Sequence, residues 1–187
     1  MSKGRIIAPV VDAASLRRYK KEFNFFETPE PLADKMAELI DDIGRNARIL
    51  EPSAGLGALI RAVQKTIKYD ILPIEFCEIQ EEFAKILEES GAVRAGNDFL
   101  AYHPGPIYDA VIMNPPYKNK LAERHTDHAW DCIRPGGRIV TLVSMEAAKW
   151  IDEEFEGHVF VREEIQKGAF KETNVATCLF LIIKPLG

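Results

Sequence analysis

One short segment of the chain combines an amide side chain, two prolines and an aromatic ring. Asn114-Pro115-Pro116-Tyr117 directly follows the apolar run 110–113, which predicts a buried strand. Two successive prolines remove ladder donors and fix φ, so the strand must end there. The Asn114 side-chain oxygen and the Pro115 carbonyl are both acceptors. Side by side they can hold the two hydrogens of an NH2 group while the Tyr117 ring stacks on the planar group that carries it. The segment therefore predicts a site that grasps a planar amine or amide and turns its nitrogen lone pair towards an electrophile.

A glycine-containing turn follows the first predicted strand, which covers residues 48–51. Glycines allow the backbone to approach a ligand closely, and the helix predicted over 57–66 offers free N–H groups at its start. The third glycine of a dinucleotide fingerprint is missing, because Ile60 stands in its place. The turn predicts either a ligand loop or a plain strand–helix connection. Its candidate binding residues are Glu51, Ser53, Gly55 and Gly57.

The next two predicted strands also end in residues that suit a nucleoside. Glu78 follows the strand predicted over 70–77, where a carboxylate can accept hydrogen bonds from both hydroxyls of a ribose. Asp98 follows the short strand 93–95 and can accept from an adenine amino group, while Phe99 packs on the ring. A solvated carboxylate in an acidic stretch is the alternative for Glu78. Because open α/β sheets bind ligands at the carboxyl ends of their strands, we expect these groups to share one site.

Strands that alternate with helices along the chain predict an α/β fold. We expect a seven-stranded, mostly parallel, Rossmann-like sheet with an antiparallel edge strand and helices on both faces. With the four strand-end motifs in this order, residues 26–184 resemble the class I methyltransferases that use S-adenosylmethionine (SAM). The resemblance implies that the glycine turn contacts SAM, that Glu78 binds its ribose, and that Asp98 with Phe99 forms its adenine site.

The residues ahead of the first predicted helix extend this resemblance. Thr28 is predicted as the N-cap of that helix, with Pro29 in its first turn and Gly44 at its end. The Phe-Phe-Glu-Thr-Pro segment lies where γ-like adenine methyltransferases cradle the SAM carboxylate. The resemblance therefore implies cofactor contacts from Phe26 and Thr28, which an N-cap role of Thr28 does not exclude.

The Asn-Pro-Pro-Tyr segment itself resembles the motif of SAM-dependent amino-methyltransferases. That group includes DNA N6-adenine methyltransferases, RNA base methyltransferases and the glutamine methyltransferases of release factors. The resemblance implies that Asn114, which lies where cofactor and target meet, holds the target amine together with Pro115. Tyr117 would stack on the base. Phe170 resembles the residue that packs against a flipped base, with an ordinary core position as its alternative.

The charge distribution favours a nucleic acid as the partner. The chain carries a formal net charge of −5, but residues 1–24 hold six basic residues against two acidic ones. Lys118, Lys120 and Arg124 form a second basic group directly after the Asn-Pro-Pro-Tyr segment. We expect both groups to contact phosphates, with a solvated terminus as the alternative for the arm.

Length and composition predict a soluble protein with one domain, and we expect it to be cytoplasmic. A basic arm is expected over 1–24 and the methyltransferase domain over 25–187. No apolar run reaches the roughly 20 residues that a membrane span requires, and no secretory leader is recognisable. The isolated Cys77, Cys132 and Cys178 favour buried thiols in a reducing compartment over a disulfide framework or a zinc site. No metal is expected.

The segment after the last motif bears on the substrate. Only 17 residues follow Phe170 in this sequence, and we therefore expect no target-recognition domain. The resemblance to adenine methyltransferases makes N6-methylation of adenine in DNA the first expectation. Without a target-recognition domain, we expect low sequence specificity or recognition by a partner subunit. An RNA base and a protein glutamine are the second and third alternatives. A non-catalytic SAM-binding module that contacts nucleic acid is the fourth.

Overall fold

The computed structural model describes residues 27–68, 71–166 and 176–187, which form seven strands and five α-helices. The strands are β1 Ile49–Glu51, β2 Glu75–Cys77, β3 Val93–Gly96, β4 Tyr108–Met113, β5 Ile133–Ser144, β6 Val159–Ile165 and β7 Thr177–Ile183. The helices are α1 Glu30–Glu38, α2 Ala58–Thr66, α3 Glu81–Glu89, α4 Leu121–Cys132 and α5 Met145–Glu154. In these three ranges, no helix has the length and apolar character that crossing a bilayer would require.

The strands form one sheet in the order β3-β2-β1-β4-β5-β7-β6. Neighbours among β1 to β5 are parallel, which confirms the predicted mostly parallel α/β sheet. β7 runs antiparallel to both β5 and β6. It is buried almost throughout, whereas β6 alternates between half-buried and exposed positions. β7 therefore suits the interior of the sheet, and β6 suits its edge.

The central strand sends its side chains into two separate cores. Ala110 and Ile112 pack with α1, α2 and α3 on one face of the sheet. Val111 and Met113 pack with α4 and α5 on the other face. Because helices cover both faces, β4 is apolar at each of these positions. This arrangement explains the uninterrupted apolar run that precedes Asn114.

Two strands begin five residues away from their predicted starts, and both differences have local causes. β2 begins at Glu75 rather than at residue 70, because Pro73 has no N–H to donate to a ladder. β5 begins at Ile133 rather than at residue 138. An irregularity in the β4–β5 register, between Tyr108 and Ala110, accommodates its Pro-Gly-Gly segment. β4 itself covers the predicted residues.

The first helix also begins differently from the prediction. Pro29 occupies its N-cap position, and no side chain caps it. The predicted N-cap role of Thr28 is therefore wrong, because the Thr28 hydroxyl accepts a hydrogen bond from Asn114 instead. The helix ends at Glu38, before the predicted end at Gly44.

The three cysteines lie inside the protein as free thiols, as predicted. Burial raises the pKa of Cys77 to about 12 and that of Cys132 to about 11. Both thiols are therefore protonated and unreactive at neutral pH.

Candidate active site

A cavity of about 500 Å³ lies at the carboxyl ends of β1, β2 and β4. β1 has β2 on one side and β4 on the other, so the order of strands reverses here, and ligands of open α/β sheets bind at such switch points. Residues from all four predicted strand-end motifs line the cavity. They include Thr28, Glu51, Ser53, Gly55, Glu78, Asp98, Phe99, Asn114, Pro115, Tyr117 and Lys118.

Gly57 shapes the glycine turn without lining the cavity. It precedes α2 with a φ of 77°, in the left-handed region that favours glycine. A Cβ at this position would lie 2.6 Å from a side-chain carbon of Leu87 in α3. Gly57 therefore allows α2 and α3 to pack closely, while Gly55 faces the cavity.

Glu78 ties two loops of the cavity together. One carboxylate oxygen accepts from the Gly55 N–H at 2.7 Å, and the other accepts from the Gln80 N–H at 2.8 Å. The side chain is only 6% exposed. Burial raises its pKa, and the two backbone donors oppose that rise. Each oxygen has a second lone pair, so the same carboxylate can also accept from the hydroxyls of a ligand.

Glu51 is a second buried carboxyl in the wall of the cavity. It accepts a hydrogen bond from the Ile60 N–H at 3.2 Å, in the first turn of α2. Burial raises its pKa well above the ordinary value; the bond from Ile60 opposes the rise, and the nearby charge of Glu78 adds to it. A buried carboxyl of this kind favours a ligand that brings a positive charge or hydrogen-bond donors.

Apolar surface on the same wall comes from Ile79 and Phe99. Ile79 lines the cavity and is nevertheless 64% exposed. Sequence reasoning gave it no role, although an apolar residue directly after a strand-end carboxylate was an available signal. Asp98 accepts from the Leu100 N–H at 3.0 Å and so starts the short 3-10 turn that holds Phe99.

His125 is another cavity residue that sequence reasoning did not place there. Its Nδ1 lies 3.2 Å from Ser53 Oγ, and its ring meets the Phe99 ring edge-on at 5.3 Å between centroids. Burial lowers its pKa to about 4, so the neutral imidazole is the form present at pH 7. Leu121, Arg124 and His125 all line the cavity at the i, i+3, i+4 spacing of one helix face, a signal that the sequence contained.

Asn114 is held at both ends of its amide group. Its Nδ2 donates to Thr28 Oγ1 at 3.1 Å, and the Tyr117 hydroxyl donates to its Oδ1 at 2.8 Å. Burial raises the pKa of Tyr117, so the phenol keeps the proton that it donates. The oxygen of an amide has two lone pairs, and Oδ1 can therefore accept from a target amine as well as from Tyr117.

Basic side chains lie next to this amide. Lys118 and Arg124 line the cavity, and Lys120 is an exposed neighbour that does not. Asn119 and Lys120 both have a φ of 56°, which is uncommon for residues with a side chain and is found preferentially at functional sites. Exposed cations at this position can bind phosphates.

Three predicted contributions lie outside the described residues: those of Phe26, Phe170 and the basic arm 1–24. Their roles stay predictions. In the part of the chain that the structure describes, no group of three or more His, Cys, Asp or Glu side chains could hold a metal ion.

Two proteins from Aliivibrio fischeri are similar in sequence, and both carry the name tRNA1(Val) (adenine(37)-N6)-methyltransferase. The one from strain MJ11 is 32% identical over 143 residues, which cover 68% of this chain and 60% of the relative. The other is 29% identical over 145 residues, which cover 65% of this chain and 58% of the relative. This chain therefore spans about three fifths of the length of these relatives. No family model matches it.

Solved structures share the fold. A candidate RNA methyltransferase from Pyrococcus horikoshii has a TM-score of 0.68 at 17% identity, covering 86% of this chain and 87% of its own. TrmN from Thermus thermophilus has a TM-score of 0.65 at 20% identity, and the match covers 90% of this chain and 52% of TrmN. The chain has the class I methyltransferase fold, as the sequence predicts, and SAM is the cofactor of that class. Identities this low establish the fold and leave the methyl acceptor open.

Proposed function

We propose that this protein transfers a methyl group from SAM to the exocyclic N6 amine of adenine in RNA. The observation that carries the proposal is that Glu78 and the Asn114–Tyr117 acceptor segment line one cavity. A cofactor bound by Glu78 and an amine held by the Asn114–Tyr117 segment would meet at the tip of β4. The two relatives, whose names specify N6 of adenine 37 in tRNA1(Val), support both the base and the polymer.

The side chains of the cavity fit SAM. Glu78 can accept from the two ribose hydroxyls, and Ile79 and Phe99 offer apolar surface to a flat ring. Glu51 places a buried carboxyl where an ammonium or sulfonium charge would compensate it. The volume of about 500 Å³ lies within the range of pockets that enclose ligands of this size.

When bound, SAM supplies a methyl group that its positive sulfur has already activated. The contribution of the protein is therefore alignment of the target nitrogen with that methyl group. Asn114 Oδ1 and the Pro115 carbonyl would accept the two N–H groups of the target amine. The lone pair of such an amine is delocalised into the ring. The two acceptors favour a tetrahedral nitrogen and stabilise the positive charge that develops on it as the N–C bond replaces the S–C bond. S-adenosylhomocysteine would be the leaving group, and the methylated nitrogen would return to neutrality by releasing one of its two protons.

The ring of Tyr117 would hold the target base by stacking, which is worth about 1–3 kcal/mol per base. A base in a duplex has to leave its stack before it reaches the site. Bases in single-stranded RNA loops are already unstacked, so they reach a strand-end site without that cost.

RNA replaces DNA, which the sequence alone ranks first, as the proposed polymer. The DNA preference rested on a resemblance to γ-like enzymes, and the fold does not distinguish the two polymers. Both relatives carry the name of a tRNA enzyme, which favours the RNA alternative. The exposed Lys118 and Arg124 would serve the phosphates of either polymer.

The test is transfer of tritiated methyl groups to three substrates in parallel: a transcribed tRNA pool, a random RNA library and a random DNA library. Nucleoside analysis should find N6-methyladenosine in RNA, most of it in the tRNA. N6-methyladenine in DNA alone would replace RNA with the polymer that the sequence ranks first.

Two variants control this experiment. Asn114→Ala should abolish transfer while its affinity for S-adenosylhomocysteine, measured by calorimetry, stays within about tenfold of wild type, because Asn114 acts mainly in the transition state. Glu153→Gln, on an exposed position of α5, should match wild type in both assays. Absence of binding heat with SAM and with S-adenosylhomocysteine would refute the cofactor assignment itself.

A further inference from the structure

We infer that Thr28 is a positioning residue, whose hydroxyl fixes the plane of the Asn114 amide beside the site of the target amine. The inference rests on the proposed function, since it concerns the same acceptor. Asn114 Nδ2 donates to Thr28 Oγ1 at 3.1 Å across 86 residues of sequence. Thr28 is only 6% exposed, so the bond is shielded from competition by water.

The orientation matters because the two ends of an amide have nearly the same shape and opposite hydrogen-bonding character. The target amine brings N–H donors, which only Oδ1 can receive. If the amide of Asn114 were turned over, donors would face donors. Thr28 and Tyr117 are both hydroxyls, which can donate or accept, so their bonds fix the plane of the amide. The target amine, which needs an acceptor, selects the orientation with Oδ1 towards it. Because a bond holds each end, the amide plane is set before the substrate arrives.

The same geometry separates this positioning role from the two roles that the sequence predicts for Thr28, an N-cap of the first helix and a contact with the cofactor. No side chain caps α1, so loss of the hydroxyl removes no helix cap. The hydroxyl accepts from Asn114, so a cofactor contact of Thr28 would come from its backbone or its methyl group. Thr28→Val therefore removes one hydroxyl, keeps the shape of the side chain and leaves the helix start in place.

The experiment compares Thr28→Val with Thr28→Ser in the RNA methylation assay. Thr28→Val should lower kcat about tenfold, the effect expected from one buried hydrogen bond that sets the acceptor. Its affinity for S-adenosylhomocysteine should stay within about threefold of wild type, because the cofactor wall is unchanged. Thr28→Ser, which retains the hydroxyl, should restore kcat to within about threefold of wild type.

A readout without turnover tests the contact directly. In ¹⁵N-labelled protein, the side-chain amide signals of Asn114 are those that disappear in Asn114→Asp. They should shift in Thr28→Val and stay near their wild-type positions in Thr28→Ser, with no cofactor or RNA present. Unshifted signals in Thr28→Val would overturn the inference even if the wild-type enzyme proved inactive.

The remaining outcomes separate the inference from the proposed function. A wild-type protein that methylates no RNA refutes the proposed function. An active wild type with a full kcat in Thr28→Val refutes the positioning role alone. Weaker cofactor binding with unchanged kcat in Thr28→Val would indicate that Thr28 contacts the cofactor and does not position Asn114. Equal losses in Thr28→Val and Thr28→Ser would show that the hydroxyl is not responsible.

Discussion

His125 should make the protein increasingly unstable as the pH falls below 7. Its imidazole is buried between Ser53 and Phe99, and burial lowers its pKa from the ordinary value of 6.5 to about 4. Asp98 opposes that change, whereas His128 and Arg124 add to it. Because the folded-state pKa is depressed, the unfolded chain takes up the proton first.

The magnitude follows from the two pKa values. The contribution of His125 to stability is present above pH 6.5 and is lost as the pH falls towards its folded-state pKa of about 4. The corresponding loss is about 2 kcal/mol at pH 5 and roughly 3 kcal/mol in full. Glu51 and Glu78, whose pKa values are raised, act in the opposite direction. A comparison of two proteins that both contain these carboxyls cancels their effect.

The assay is urea unfolding of wild type and His125→Asn between pH 8 and pH 4.5. The asparagine keeps a polar group near Ser53 and does not titrate. Any fixed cost of the substitution appears at pH 8, and the difference in unfolding free energy should then move by about 2 kcal/mol in favour of the variant by pH 5. Parallel curves over this range, or an NMR titration of His125 with a midpoint near 6.5, would refute the reasoning.

Three other outcomes follow from the site. Glu51→Gln should raise the melting temperature at pH 8, because a group with a raised folded-state pKa loses its stabilising effect as the pH rises through that pKa. This gain in melting temperature should fade by pH 4.5, and a lower melting temperature at pH 8 would contradict the expectation. Calorimetry at pH 8 should also show weaker binding of SAM. Tyr117→Ala should lower kcat/KM for RNA by a factor that corresponds to about 1–3 kcal/mol of lost stacking. Tyr117→Phe, which loses only the bond to Asn114, should cost about 1 kcal/mol, so equal losses in the two variants would argue against stacking. Charge reversal at Lys118 and Arg124 should flatten the dependence of RNA binding on salt, by about 0.7–0.9 in the log–log slope for each phosphate contact removed. Lys149→Glu on α5 is the matched control, and a slope that it lowers equally would point to a general charge effect.

The sequence by itself determined the features that depend on neighbouring residues. The apolar run of β4 and the two prolines after it specify a buried strand that ends at Asn114, and the structure has that strand at the predicted residues. The alternation of strands and helices specified the mostly parallel sheet. Backbone sterics and the burial of apolar faces act over short stretches of chain, and the order of residues therefore reveals them.

The start of α1 shows where such local reasoning fails. A threonine before a proline and a helix is a good N-cap by its local sequence. In the folded chain the Thr28 hydroxyl has a different partner, Asn114, which lies 86 residues away in the sequence. The contact of His125 with Ser53 likewise spans 72 residues.

Only the tertiary structure decided how the side chains of the cavity are paired. Glu78 bonds two loops, Gly57 makes room for Leu87, and Ile79 remains exposed beside buried carboxyls. A hydroxyl, amide or carboxylate can pair with many partners, and its choice depends on which elements packing brings within about 3 Å of it. The sequence specifies the chemical groups at each strand end. The packing of helices on the sheet sets their distances, and hydrogen bonds depend on distance.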